Sequence, residues 1–308
     1  MGVGTAIRQG LSMARRTRSA VWVLFLVNLG LAALAALPIY QGILRITGHS
    51  LMSQELAQAF SLDWLTDFVF NNPGSFDRYA RLIAYAGLVT MPVNALLAGG
   101  VLARFREPDQ PSSLGMFFRD TARYGWRLIR LMILGLIAYW VVFILINQKL
   151  GDWVGKLTRD ARDDRVGFVA HLTIVVLVLL GLAFVNLVMD YARVKLVLDD
   201  GPSVIEAFLA SLGFSLGRLR KAFTVYALPA LGGVALLGLY RLLLPWGMFN
   251  AAARAASPYR EPLMLALLFI LQQLVMFGRY WFRVATWASE WSYYAGSRHA
   301  APPAAPAA

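Results

Sequence analysis

The sequence predicts an all-α, polytopic membrane helix bundle: six transmembrane helices arranged as three helical-hairpin repeats, with amphipathic helices on the cytoplasmic surface. Three observations predict it. Hydrophobic residues make up 58% of the 308 positions and charged residues only 15%, and the mean hydropathy is +0.58, which is more apolar surface than one soluble core of this length hides. The apolar residues gather in runs of about 20, the length that crosses a ~30 Å hydrocarbon core. A phrase also recurs, Asp-x-Pro-Ser-x-(Leu/Ile)-x-x-Phe, at Asp109 to Phe117 and again at Asp200 to Phe208, each copy standing between two apolar runs.

In chain order, Arg8, Arg15, Arg16 and Arg18 precede the first run, 20–40. A basic start, an apolar stretch and small residues near Ala33 resemble a signal peptide, yet the run is longer than the 7–15 residues of a signal core, so a retained first helix is expected. Residues 41–78 mix Leu51, Leu56, Phe60, Trp64 and Phe68 with Gln, Asp and Glu, the pattern of short helices on the membrane surface. The second span is 79–103. The first repeat phrase follows, then Arg119, Arg123, Arg127 and Arg130 opposite an apolar stripe of Leu114, Phe117, Thr121 and Leu128, a helix suited to the headgroup layer. Spans three and four, 131–147 and 166–189, flank a link at 148–165 in which lysines and arginines alternate with aspartates. The second phrase and its surface helix, with Arg218, Arg220 and Lys221, lead to span five, 222–246, and span six, 262–282. Residues 1–296 form one domain. The Ala/Pro tail, 297–308, lacks anything to bury.

The repeat phrase has the chemistry of a turn feeding a helix: proline sets the entry, Ser112 and Ser203 are candidate N-caps, and Ser203 with Glu206 forms a capping box. Most of the 29 lysines and arginines fall at the N-terminus, in the two phrase-bearing loops and in the C-terminal segment. Both termini are therefore expected on the cytoplasmic side, in a bacterial inner membrane whose anionic lipids the basic residues face. Repeats of like orientation imply a pseudo-symmetry axis along the membrane normal, around which the hairpins converge on a seam.

Polar residues inside the spans are the candidate ligand-binding site. Asn28, Asn94, Asn186 and the pair Gln272 and Gln273 each lie some 7–10 residues from a basic residue ending their span, Arg18, Arg104, Arg193 and Arg279. At ~1.5 Å per residue this is a common depth of roughly 10–15 Å. Amides facing lipid would lack partners, so they are expected to face each other or a cavity. Pro38, Pro92 and Pro229 mark possible helix breaks beside such a site. Asp190 is a second candidate, in a structural ion pair with Arg193 or as a coupling carboxylate.

Other chemistries are poorly served. Cysteine is absent and His49, His171 and His299 have no metal-ligand spacing, so no metal or cofactor is expected. No phosphate loop, zinc helix or nucleophile elbow occurs, and an enzyme is not expected. The formal charge of +12 in so apolar a chain points to anionic membrane lipids and not to nucleic acid. The Gly-x-x-x-Gly pairs at Gly151/Gly155 and Gly213/Gly217 fall outside the expected spans and argue little for helix dimerisation.

The run Asp190-Tyr191-Ala192-Arg193-Val194-Lys195-Leu196-Val197-Leu198, the Pro-Ser-x-x-x-Ala-Phe helix after it and the order of six spans resemble uncharacterised bacterial six-span proteins. These in turn are similar to the membrane domain fused to some glycerophosphodiester phosphodiesterases. The resemblance implies an inner-membrane location and lipid-related or transport-accessory work; the catalytic barrel of those enzymes has no counterpart here. The leading expectation is a transporter, or a transport-accessory subunit, moving a small or amphiphilic solute through an amide-lined seam. A non-transporting scaffold that binds anionic lipid, a protein partner or a second copy is the alternative, and an intramembrane lipid-modifying enzyme is third.

Overall fold

A computed structural model describes residues 1–47, 66, 70–71, 74–108, 113–158, 164–201, 203–243 and 260–298. Much of 41–78, where surface helices are expected, lies outside these residues, as do Pro111, Ser112 and the tail beyond Arg298; of the described part, 41–47 continue the helix Arg18–Thr47 and 75–78 begin the helix Ser75–Arg104. Among the described residues the regular structure is helical throughout: α1 (Val3–Arg16), α2 (Arg18–Thr47), α3 (Ser75–Arg104), α4 (Leu114–Val142), a π-helical stretch (Phe143–Leu150), α5 (Gly151–Thr158), α6 (Asp164–Asp199), α7 (Val204–Gly217), α8 (Leu219–Leu243) and α9 (Arg260–Arg298). Five segments are long and apolar enough to cross a membrane: Arg18–Gly42, Asp77–Arg104, Leu114–Lys156, Arg165–Asp199 and Leu219–Leu242. The expected sixth, 262–282, falls within α9, which is not among those five.

The long helices leave large apolar side chains uncovered, among them Leu34, Leu88, Leu179 and Leu242. A soluble monomer rarely exposes so many large apolar side chains, and helices are one of the few forms in which backbone polar groups can cross hydrocarbon satisfied. The chain has the make-up of a multi-pass membrane protein.

Several boundaries differ from those the sequence suggests. The expected break between a surface helix and span three is missing: α4 runs unbroken from Leu114 to Val142 and continues through the π turn into α5. No glycine, proline or capping residue stands between Trp126 and Leu131 to stop the i to i−4 ladder. At ~1.5 Å per residue, the 43 residues of Leu114–Lys156 greatly exceed a ~30 Å core, so the arginine-bearing end is set to emerge along the helix axis and not to lie flat. The N-cap is Ser113, whose hydroxyl accepts from the Met116 N–H at 3.2 Å, one residue later than Ser112. Ser203 caps α7 as expected, accepting from the Glu206 N–H at 3.2 Å. The other half of the box is open to a different partner, since the Glu206 carboxylate stands 3.7 Å from Lys195. Pro38, Pro92 and Pro229 sit inside continuous helices, as proline can in a membrane helix. Finally, α9 continues well past 282 and buries Val284, Ala285, Trp287, Ala288, Trp291, Tyr293 and Tyr294.

By backbone contact the chain divides into two units. The first comprises Met1–Thr17, Ala95–Pro229 and Ala285–Ala308. Its core is the C-terminal half of α6, where Leu187, Val188, Tyr191, Val194, Leu196 and Val197 are buried, packed against α7 and α4. Small residues set the approach distances. In α1, Ala6, Gly10 and Ala14 form the buried stripe, and a Cβ on Gly10 would fall 2.5 Å from the Cα of Ser289; on Gly135 it would meet the Met189 Sδ at 3.2 Å. Such small-residue contacts are how membrane helices gain close packing. The second unit comprises Arg18–Asn94 and Ala230–Val284. There Trp22 and Phe25 of α2 pack on Phe277 of α9 with ring centroids 4.5 and 5.7 Å apart, and a Cβ on Gly232 would meet the Phe282 ring.

Candidate functional site

The polar residues inside the helices sort into separate, internally bonded groups. In the second unit, Asn28 of α2 and Asn94 of α3 face each other as a reciprocal amide pair. The Asn28 Nδ2 donates to Asn94 Oδ1 at 2.9 Å, and the Asn94 Nδ2 donates to Asn28 Oδ1 at 2.8 Å. Each amide gives its remaining N–H to the backbone carbonyl one turn back, Leu24 and Thr90, at 2.9 Å. Both donors and the carbonyl oxygen of each amide are thus occupied.

In the first unit, Asn186 of α6 accepts a hydrogen bond from the Tyr139 hydroxyl of α4 at 2.9 Å and donates to the Tyr226 hydroxyl of α8 at 3.3 Å. Gln272 is exposed on α9 and Gln273 half-buried. The asparagine contacts do not include the glutamine pair. Arg279 is exposed and donates to the Met276 thioether at 3.6 Å.

Asp190 lies in the buried core of the first unit. Its side chain is 0% exposed, Arg193 holds Oδ1 at 2.5 Å and the Trp287 indole N–H donates to the same oxygen at 3.2 Å. A buried carboxylate needs such partners to stay charged. Beside it, Tyr191 stacks on Phe214 of α7 and Tyr294 of α9 at 5.1 and 6.3 Å, and Glu290, one turn beyond Trp287, is also fully buried. The ion pair with Arg193 is legible from the i, i+3 spacing. Trp287 and Glu290 are not, because the arginines at 279 and 283 make the sequence look as if the apolar helix has ended. The signal available was the Trp287, Trp291 and Tyr294 spacing, a 3.6-residue stripe running through Ala285 and Ala288.

The C-terminal end of α6 is bound by basic side chains from distant parts of the first unit. Asp200 has φ 52°, the left-handed conformation that ends a helix and that aspartate tolerates. Arg127 binds its carboxylate at 2.7 Å and its carbonyl at 3.1 Å, and Arg123 binds the other carboxylate oxygen. Asp199 takes Lys195 at 2.9 Å and Arg298 on both oxygens, one at 3.0 Å. Arg106 donates to the carbonyl of Leu198 at 3.1 Å and to that of Val197. These carbonyls are among the last four of the helix, which have no acceptor role within it, and cations there also answer the helix dipole. The hydrogen bond from Arg127, supported by Arg123 and opposed by desolvation, holds the Asp200 carboxyl below its ordinary value.

No protein-family model, curated protein or solved structure matches this chain. The reading therefore rests on the geometry. Of the residues expected to meet headgroups, Arg123 and Arg127 are committed to Asp200, whereas Arg119, Arg130, Arg218, Arg220 and Lys221 are exposed, with Arg218 stacked over Phe214 at 5.1 Å. No group of three or more His, Asp or Glu side chains among the described residues is placed to hold a metal ion.

Proposed function

We propose that the chain is a multi-pass membrane scaffold whose exposed basic side chains hold anionic lipid headgroups. The observation that carries this reading is the closure of the amides. Transport through an amide-lined seam needs Asn28, Asn94 and Asn186 to present hydrogen-bonding capacity to a solute, whereas Asn28 and Asn94 use both donors on each other and on backbone carbonyls and Asn186 is held between Tyr139 and Tyr226. Interhelical bonds of this kind contribute about 0.6 kcal/mol each on average and fix which helices meet.

The basic residues support the lipid half of the proposal. Arg119 and Arg130 of α4, and Arg218, Arg220 and Lys221 at the α7–α8 junction, are exposed. Each such residue at an anionic surface contributes about 1 kcal/mol. On this reading both termini lie in the cytoplasm, α9 supplies the sixth span and the membrane is the bacterial inner one, since basic residues retained on one side set orientation. The fused membrane domains that the sequence resembles sit beside lipid chemistry, which agrees with a lipid-organising role.

Reconstitution into vesicles of phosphatidylcholine with and without one-third phosphatidylglycerol tests it. Anionic lipid raises the thermal midpoint of the wild type, and replacing Arg119, Arg130, Arg218, Arg220 and Lys221 by Gln removes most of that rise. A variant whose midpoint follows the anionic lipid as the wild type does refutes the lipid half; a solute flux across the vesicles that Asn186→Leu abolishes refutes the scaffold half.

A further inference from the structure

At the other end of the α4–α6 hairpin, some 40 Å along α6 from Asp200 at ~1.5 Å per residue, a cleft of about 530 Å³ opens between the π-helical stretch, α5 and the start of α6. Asn147, Gly151, Asp152, Gly155, Lys156, His171 and Ile174 line it. Three features set it apart from an accidental groove. The volume lies within the range of small-ligand sites. The floor is made by omission: a Cβ on Gly155 would meet nothing within 4 Å and one on Gly151 only the Ile174 Cδ1 at 4.0 Å, so the two glycines leave room where side chains would stand. The wide turn directly before them, Phe143–Leu150, is of a rare kind that is frequent at functional sites.

The lining groups carry opposite charges. Among the described residues neither Asp152 nor Lys156 takes part in an ion pair, whereas the acids at the far end of α6 are each held by two cations. The His171 Nδ1 lies 3.0 Å from the Gly167 carbonyl oxygen. In the neutral tautomer that donates there, Nε2 is left as an acceptor facing away from the helix backbone. Next in sequence to lining residues, Trp153, Leu172 and Val175 are exposed apolar side chains, as is Phe168 one turn before His171.

We infer that this cleft binds a zwitterionic phosphate ester bearing a primary ammonium, the headgroup chemistry of phosphatidylethanolamine. The Asp152 carboxylate and His171 Nε2 accept from the ammonium, Lys156 and the Asn147 amide donate to the phosphate, and the exposed apolar side chains of α5 and α6 suit acyl chains. A primary ammonium donates three hydrogen bonds and a quaternary one donates none, so choline lipids fit the charges but leave both acceptors unanswered. An anionic glycerol headgroup places no cation against Asp152. This inference rests on the membrane reading and is independent of the basic surface at the far end.

The test uses the purified, delipidated full chain in detergent, with native mass spectrometry against phosphatidylethanolamine, phosphatidylcholine and phosphatidylglycerol of identical acyl chains. The wild type retains the ethanolamine lipid at least tenfold more tightly than the other two. Asp152→Asn lowers it to the choline level, and Lys156→Gln weakens ethanolamine and choline lipids together. Gly155→Leu, whose Cβ has nothing within 4 Å, abolishes binding while the thermal midpoint stays within a few degrees of wild type. Displacement by soluble phosphoethanolamine identifies a free metabolite as a sufficient ligand; binding of the lipid without such displacement identifies the lipid itself, and both support the site. Equal retention of the three lipids, or selectivity unchanged in Asp152→Asn and Gly155→Leu, overturns it. A chain that does not enter vesicles refutes the membrane reading and this proposal with it, whereas a chain that enters but does not discriminate refutes this proposal alone.

Discussion

Replacing Asn28 and Asn94 by Leu, singly and together, measures what the reciprocal amide pair contributes. Two interhelical bonds link the side chains, at 2.9 and 2.8 Å. At about 0.6 kcal/mol per bond, with an upper value near 1.7 for the best, the pair is expected to couple by about 1–2 kcal/mol. Each single variant costs more than its own bonds, because the surviving amide keeps its i−4 carbonyl contact but loses both functions that faced its partner, a penalty of about 1–3 kcal/mol for groups away from water. The double variant removes both sides and leaves two apolar surfaces in contact, so it is less destabilised than the sum of the singles. Reversible unfolding in mixed detergent micelles, followed by tryptophan fluorescence, gives the four free energies of the cycle. Strict additivity refutes the reasoning, since it means that the amides do not act on each other. A double variant as stable as wild type supports it and shows that the pair specifies helix pairing more than it stabilises it.

Three further outcomes follow from the first unit. Asp190→Leu leaves Arg193 beside an apolar core and the Trp287 N–H without its acceptor, and costs about 3–5 kcal/mol by the same unfolding assay; Asp190→Asn, which keeps an oxygen for Trp287, costs clearly less. Gly10→Leu drives a side chain into the Ser289 backbone and detaches α1, so a cysteine placed at Ala14, buried in the wild type, becomes reactive to a water-soluble maleimide. Because the folded carboxyl of Asp200 titrates below its ordinary value, its contribution to stability is complete above the unfolded value near pH 4 and is lost as pH falls through the lower folded value. The thermal midpoint of the wild type therefore falls more steeply below pH 4 than that of Asp200→Asn.

The helical, apolar character of the chain was legible because composition and run length leave few alternatives once polar backbone must cross hydrocarbon. The asparagines were legible as residues that must find partners, and Asn28 with Asn94 did so. Which partner Asn186 takes was not legible: Tyr139 and Tyr226 lie on other helices, and spacing along one helix says nothing about which neighbour it meets. The same holds for Trp287 on Asp190 and for Arg106 on the α6 carbonyls. Helix ends were read least well where charge was mistaken for termination. Arg127 and Arg130 interrupt the apolar run of α4, and Arg279 and Arg283 that of α9, yet arginine is a good helix former and the ladder continues through all four. The shift from Ser112 to Ser113 has a plain cause: two adjacent serines offer the same chemistry, and the register of the first helical turn chooses between them.

The basic residues gathered around Asp199 and Asp200 bear on the order in which the protein is made. Two acids at a helix C-terminus oppose the dipole of that helix, and the residues that offset them come from both earlier and later parts of the chain, Arg106, Arg123 and Arg127 before them and Arg298 almost a hundred residues after. While the ribosome is still building α7 and α8, Asp200 already has its partners and Asp199 has Lys195 alone. Emergence of Arg298 then fastens the last helix onto the end of α6, so this contact is among the last that the first unit can form.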